Sequence, residues 1–378
     1  MTASLSILWV LVCLAGGCDD SWHGPEEMEY DSFGLKKVIS FSLTSEDISA
    51  MRNNTYAKPF VRTMVAIDGQ PYPAGIAYCG ATSVDDYKKS YEVELDNAYK
   101  GRRIYRINAM PTDLSASRAM LAYTIFEQMG FDMPMYEPVA VWINNAYAGM
   151  FLWQEKIDDT YFTARKKVPL SVYQAEDSVA RMDDTANLDE EFSVKVGNKE
   201  MVDLKYMIQL LIQAPSAQNR AQLEEVLDVE SVLKYMAITA YIAGHDGIVN
   251  NFYLARTKGD NRLTILPWDL DRTFYSTVPM EDGEFFDRNF MMSRFYHEEE
   301  PYGAKFKSLY RQVATLASPD VLGAALDTWV QKIRCAYEND PYLSISGTSL
   351  TQHVTDLKSR FAETAAAVNP LIPEQMAQ

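Results

Sequence analysis

The sequence predicts an α+β protein of two lobes with a cleft between them. Three observations point there. Short strand-like runs crowd into residues 36–158, helical patterns dominate 159–378, and hydrophobic side chains make up 47% of the 378 residues, enough to build a core in each part.

The first segment is not fold. Residues 4–17, SLSILWVLVCLAGG, are an apolar run of signal-peptide length that stops at Gly16-Gly17-Cys18. Small residues before a cysteine resemble a lipoprotein cleavage box. Residues 1–17 are therefore expected to be removed, Cys18 to be acylated, and polar residues 18–35 to act as a tether. The reading implies an exported protein, anchored by lipid to the membrane of a bacterial cell envelope. No later stretch is apolar for long enough to span a membrane.

The strand-rich part then unfolds in order. Residues 61–80 read as a hairpin around Asp68-Gly69, and 91–95 and 103–107 as two more strands. Asp113 can cap a helix over 114–129 that Gly130 stops. Residues 139–143 and 149–157 form a hairpin around Asn144-Asn145. Beyond 158, residues 171–199 are acidic and weakly periodic, an expected insertion over the site. Helices are expected over 203–212, 220–227 and 231–243, the last apolar almost all round and ended by Gly244. Residues 280–301 read as irregular. Amphipathic spacing predicts three closing helices over 304–317, 319–339 and 349–367.

The formal net charge is −17, and no Lys/Arg cluster provides the basic footprint of a nucleic-acid binder. Beside Cys18, only Cys79 and Cys335 remain after processing. No Cys-x-x-Cys spacing exists, which argues against a structural zinc site, and two unpaired thiols are favoured over one disulfide.

The chemistry concentrates in residues 245–274, HDGIVNNFYLARTKGDNRLTILPWDLDRTF. Two strand-like runs, 251–257 and 263–269, flank a Gly259-Asp260 turn signal. Pairing centred on residue 260 sets Asn251 opposite Asp269, and opposed residues lie roughly 5 Å apart. An amide oxygen and a carboxylate there suit one hard divalent cation, with Asp246 nearby to take a proton: a centre for phosphoryl transfer. Asp271 is expected as an auxiliary metal ligand. His245 is expected to be a structural hydrogen-bonder, since no Gly-x-Ser-x-Gly elbow accompanies it.

This segment resembles the CotH family of atypical protein kinases, and three further stretches carry the same resemblance in the same order. They are GATSVDDYKKSYEVEL (80–95), DLSASRAMLAYTIFEQMG (113–130) and VWINNAYAGMFLWQEKID (141–158). The resemblance implies an atypical protein-kinase-like fold that transfers the ATP γ-phosphoryl group to Ser/Thr hydroxyls of an exported protein, with Mg²⁺ or Mn²⁺. Asp246 then matches the catalytic Asp, and Asn251 and Asp269 the metal ligands. The spacing agrees with ordinary kinases, where the metal-binding Asn follows the catalytic Asp by five residues.

Supporting residues follow from alternation. Lys89, Tyr91, Val93 and Leu95 share the apolar face of their strand, so Lys89 is favoured over Lys88 for phosphate contact. Glu155 can pair Lys89 or simply end its hairpin. Arg118 is a phosphate ligand or an exposed helix arginine. Trp268 is a base-stacking wall or core. Two other functions stay open: a metal-dependent phosphohydrolase using the same carboxylates, and a non-catalytic surface or coat-assembly protein that keeps the fold.

Overall fold

The computed structural model describes residues 30–80, 85–176, 180–276, 283–343 and 348–368. The signal segment, Cys18 and the tether up to residue 29 lie outside them.

The first half is strand-rich: β1 (Val38–Phe41), α1 (Ser45–Asn53), β2 (Val61–Ile67), β3 (Gln70–Cys79), β4 (Ser90–Tyr99), β5 (Arg102–Asn108), α2 (Arg118–Gln128), β6 (Tyr136–Ile143) and β7 (Ala146–Glu155). The strands close a barrel in the order β1-β2-β3-β4-β5-β7-β6, sealed by parallel pairing of β1 with β6. Strand alternation fills its interior with Ile39, Val65, Ile76, Val93, Tyr105, Phe151 and Trp153 and turns the other face outward. Three two-residue hairpin turns use Asp68-Gly69, Lys100-Gly101 and Asn144-Asn145, all with positive φ. That is what a tight hairpin with native strand twist demands.

Helix α2 begins at Arg118, four residues later than the pattern suggested. Asp113 still serves its start: the buried carboxylate accepts from the backbone N–H of Ser117 at 2.8 Å and of Arg118 at 2.7 Å. Ala116 between them takes a left-handed φ of 50°. Gly130, with φ 90°, closes the helix as expected.

The second half is mostly helical, with one small sheet. In order it holds α3 (Asp159–Ala164), β8 (Pro169–Ala175), α4 (Leu188–Glu191), β9 (Phe192–Val196), α5 (Val202–Leu211), α6 (Ala217–Val226), α7 (Val229–Tyr241), α8 (Asp246–Val249), β10 (Phe252–Thr257) and β11 (Leu263–Pro267). Helices α9 (Phe290–His297), α10 (Ala304–Leu316), α11 (Pro319–Glu338) and α12 (Leu350–Val368) follow. The sheet order is β11-β10-β8-β9, all antiparallel. Residues 171–199 are therefore not an insertion laid over the site: they supply β8 and β9 of this sheet. Helix α9 likewise lies within a stretch expected to be irregular.

The central helix α7 is buried on nearly every side. Its last turn closes with Gly244 N donating to Thr239 O at 2.8 Å and Ala243 N to Ala240 O at 3.2 Å. Ala243, with φ 49°, takes the left-handed position expected of Gly244. At Gly244 a Cβ would make a tight 3.3 Å contact with Thr239 Cγ2. Cys79 is buried and Cys335 exposed, and both are free thiols. Among the described residues no helix is long and apolar enough to cross a membrane.

Candidate functional site

The β10–β11 hairpin pairs Phe252 with Pro267, so Asn251 faces Trp268 and not Asp269, one residue from the expected register. The backbone bond from Trp268 N to Asn251 O, 3.0 Å, completes that end of the ladder. Asn251 (φ 57°) and Asp269 (φ 53°) are both left-handed, an uncommon conformation for non-glycine residues that clusters at functional sites. The two still meet, because Asn251 Nδ2 donates to Asp269 O at 3.3 Å. Both line one cleft of about 360 Å³ between the outer face of the barrel and the second sheet.

Asp269 Oδ2 lies 2.8 Å from Arg106 Nη1 on β5. Its other oxygen, Oδ1, is buried and has no hydrogen-bond partner. Asp271 lies four residues beyond the end of β11 and is not among the cleft-lining residues; Thr112 Oγ1 donates to its Oδ2 at 3.4 Å. Burial and then the charge of Asp269 push the Asp271 carboxyl up to about 8, against the pull of Arg106.

This donor set fits a hard divalent cation. An unpartnered buried carboxylate oxygen and a second carboxylate that repels it both gain from added positive charge, and the Asn251 amide adds a neutral oxygen donor. Among the described residues no group of three or more His, Cys, Asp and Glu forms a ready metal cage. A cation here would thus rest on two carboxylates and an amide, with the remaining positions open to phosphate and water, as is usual for Mg²⁺.

Asp246 sits in the first turn of α8, partly exposed, with Arg272 Nη1 3.4 Å from its Oδ2. It is not among the cleft-lining residues. The neighbouring His245 plays the expected structural part: Nε2 lies 3.2 Å from Ser276 Oγ, and the ring meets Phe285 edge-on. Burial, assisted by Arg288, lowers its pKa.

Several supporting residues stand elsewhere than expected. The apolar face of β4 is the barrel interior, so the cleft faces the opposite side of the strand, which carries Glu92. Lys88 is no phosphate contact: it is buried in an ion pair with Asp340 at 2.7 Å and donates to Met150 O. Asp340 also accepts from Met150 N at 2.7 Å, and Gly149 beside it leaves no room for a Cβ, which would fall 2.3 Å from the carboxylate. Lys89, half-buried just before β4, does not line the cleft. Glu155 does not pair it. The Glu155 side chain is enclosed, held by Arg102, by Arg165 at 3.0 Å and by Met135 N at 3.0 Å. Arg118 is engaged structurally: Nη1 donates to Thr273 O at 2.6 Å, and the guanidinium stacks 3.8 Å from the Tyr275 ring. Trp268 is mainly core: only 3% exposed and packed edge-on against Tyr253 in a small hydrophobic cluster, it borders the cleft from behind.

The cations that face the cleft are ones the sequence reading passed over: Lys58, Arg106, Lys156 and Lys195. Lys156 pairs with Glu92 at 3.0 Å and lies 5.2 Å from the Trp268 ring, while Lys195 pairs with Glu176 at 3.4 Å. Burial opposes the Glu92 charge, but Lys156 overrides it and holds the carboxyl below its ordinary value. A signal for Arg106 existed. In RRIYRIN, Arg102, Ile104 and Arg106 alternate with the core residues Tyr105 and Ile107, which places Arg106 on the outer face.

A family model described as CotH kinase protein matches residues 76–364. The inner spore coat protein H of Bacillus subtilis (strain 168) is 25% identical over 240 residues, 61% of this chain. The chain spans 66% of that relative's length. Among solved structures, the complex of HipA, HipB and operator DNA from the toxin–antitoxin system of Shewanella oneidensis MR-1 aligns with a TM-score of 0.37 and 11% identity. That alignment covers 76% of this chain and 63% of the other.

Proposed function

Because this chain belongs to the CotH kinase protein family, we propose that it is an ATP-dependent phosphotransferase acting on Ser/Thr hydroxyls of an exported protein. The observation that carries the reading is Asp269. Its carboxylate is fixed by Arg106 and keeps one buried oxygen unpartnered, and its backbone carbonyl accepts from Asn251 Nδ2, in a cleft lined by Trp268 and Tyr253.

Asn251, Asp269 and Asp271 would hold the divalent cation, which when bound neutralises charge on the phosphates. Lys156, and not Lys88 or Lys89, is the cation placed to meet phosphate oxygens from the barrel side. Trp268, largely buried, backs the cleft behind Lys156. Asp246 takes the proton of the attacking hydroxyl, and Arg272 steadies its carboxylate. Positioning and electrostatics do most of the work in such transfers, so a small polar set suffices.

The test is transfer itself. The purified chain is incubated with γ-labelled ATP, Mg²⁺ or Mn²⁺ and a generic protein acceptor. Label on the acceptor supports the proposal. Free phosphate alone would turn it into a phosphohydrolase, and absence of nucleotide binding into a non-catalytic protein.

The lipid anchor at Cys18 is part of the same proposal and rests on the sequence alone. Two or more acyl chains anchor stably where one does not. Replacing Cys18 by Ser is expected to release the protein from the membrane fraction; a wild-type protein found wholly soluble, with a mass lacking lipid, contradicts the anchor.

A further inference from the structure

The cleft has a second wall, and that wall carries a cation of its own. Lys195 lies on β9, the edge strand of the second sheet, at a bulge. Tyr173 pairs with Val194 and Val172 with Val196, so Lys195 is an extra residue in the ladder. Strict alternation would send Val194 and Val196 to one face. With the bulge, Val194 packs into the large core, while Val196 packs on the cluster of Val172, Tyr253 and Trp268 that borders the cleft. Lys195 lines the cleft, together with Gln174 and Glu176 at the end of β8. Bulges re-aim single side chains in this way next to functional sites.

The cleft charges form two pairs, one on each wall. On the barrel side Lys156 lies 3.0 Å from Glu92, and on the sheet side Lys195 Nζ lies 3.4 Å from Glu176 Oε1. The two lysines feel one another: burial lowers the Lys195 pKa, Glu176 opposes the shift and Lys156 adds to it. Two ammonium groups facing one cleft favour a multiply charged anion between them. A phosphate group brings more negative charge and more acceptor oxygens than the single carboxylate each lysine now holds.

Deepening the proposed nucleotide binding, on which it rests, we propose that Lys195 is a phosphate-binding residue, the counterpart of Lys156 in a two-sided clamp on the polyphosphate chain. Lys156 leaves Glu92 and Lys195 leaves Glu176, each to grip phosphate oxygens from its own wall. The ligand then ties the barrel to the second sheet, and the clamp reads phosphate and not base.

The experiment measures Kd for ATP and for inorganic triphosphate, each with Mg²⁺, on the full chain. The wild type is expected to bind both. Lys195→Ala is expected to weaken both by the same factor, about tenfold, the scale of one charge-assisted contact. Its denaturation midpoint should hold, since the lost pair with Glu176 is partly exposed, and Lys195→Arg should recover part of the binding. Glu176→Gln is expected to tighten both ligands, because it releases the lysine; a pair that serves only the fold would give no gain. Wild-type affinity in Lys195→Ala, a loss for ATP that spares triphosphate, no gain in Glu176→Gln, or a wild type that binds ATP but not triphosphate overturns the clamp and leaves the nucleotide reading standing. A wild type that binds neither ligand overturns both.

Discussion

Arg106 Nη1 lies 2.8 Å from Asp269 Oδ2, so a strand of the barrel holds the carboxylate that ends the β10–β11 hairpin. One ion pair thereby joins the two sheets across the cleft and fixes the orientation of Asp269. Both side chains are largely buried. The interaction therefore matters less for what it adds than for what its loss would expose, a charge stranded out of water.

Arg106→Met leaves that charge behind. The expected cost is roughly 3 kcal/mol of folding stability, the lower end for breaking a buried pair, read as a lowered denaturant midpoint. Metal-dependent nucleotide binding should weaken as well. A variant with wild-type stability and binding would show that Asp269 is positioned by something else.

Lys88 and Lys156 should separate cleanly. Lys88→Met breaks the buried pair with Asp340 and is expected to destabilise the protein, while the folded fraction keeps its KM for ATP. Lys156→Ala removes a cleft cation paired with Glu92 and is expected to raise that KM about tenfold, worth about 1.4 kcal/mol, so the change in KM, and not the stability cost of the stranded Glu92 charge, tells the two lysines apart. The opposite pattern in steady-state kinetics would return the phosphate contact to the lysine pair before β4.

A pH effect is expected at Asp158. Burial raises its carboxyl pKa against the bonds from Thr160 and Tyr161, and its Oδ2 is buried without a partner. A carboxyl whose folded pKa is raised favours folding below its unfolded pKa and loses that contribution as pH rises through the folded value. Asparagine also caps helices well. Asp158→Asn should therefore be more stable than the wild type at pH 7, with the advantage fading toward acid. Denaturation midpoints across that range check the sign, and an advantage that grows on acidification contradicts it.

Much of the fold is legible in the chain because local rules agree there. Asp68-Gly69 and Asn144-Asn145 demand hairpins, Gly130 stops a helix, and the alternation of Tyr91, Val93 and Leu95 marks a barrel-facing side. The proximity of Asn251 and Asp269 was legible through their spacing on the hairpin. What was not legible depends on closure in three dimensions. Tyr91, Val93 and Leu95 do share a face, but only the closed barrel reveals that this face is sealed core, which sends the cleft to the side of Glu92 and Arg106. Lys88 finds Asp340 across 252 residues, a contact no local pattern announces. Asn251 and Asp269 miss direct opposition because the whole β10–β11 ladder is centred between Gly259 and Asp260, half a residue from the expected centre.

The most direct measurement sets nucleotide binding beside phosphoryl transfer in Asp246→Ala and Asp269→Asn, each with ATP and Mg²⁺ or Mn²⁺. A group whose interaction is made mainly in the transition state affects turnover and not ground-state binding. Asp246→Ala is therefore expected to bind metal–ATP nearly as the wild type does and to transfer no label, while Asp269→Asn should lose metal-dependent binding and transfer together. Label transfer by Asp246→Ala at the wild-type rate, or nucleotide binding by Asp269→Asn with its metal dependence intact, would contradict the roles assigned to these two carboxylates.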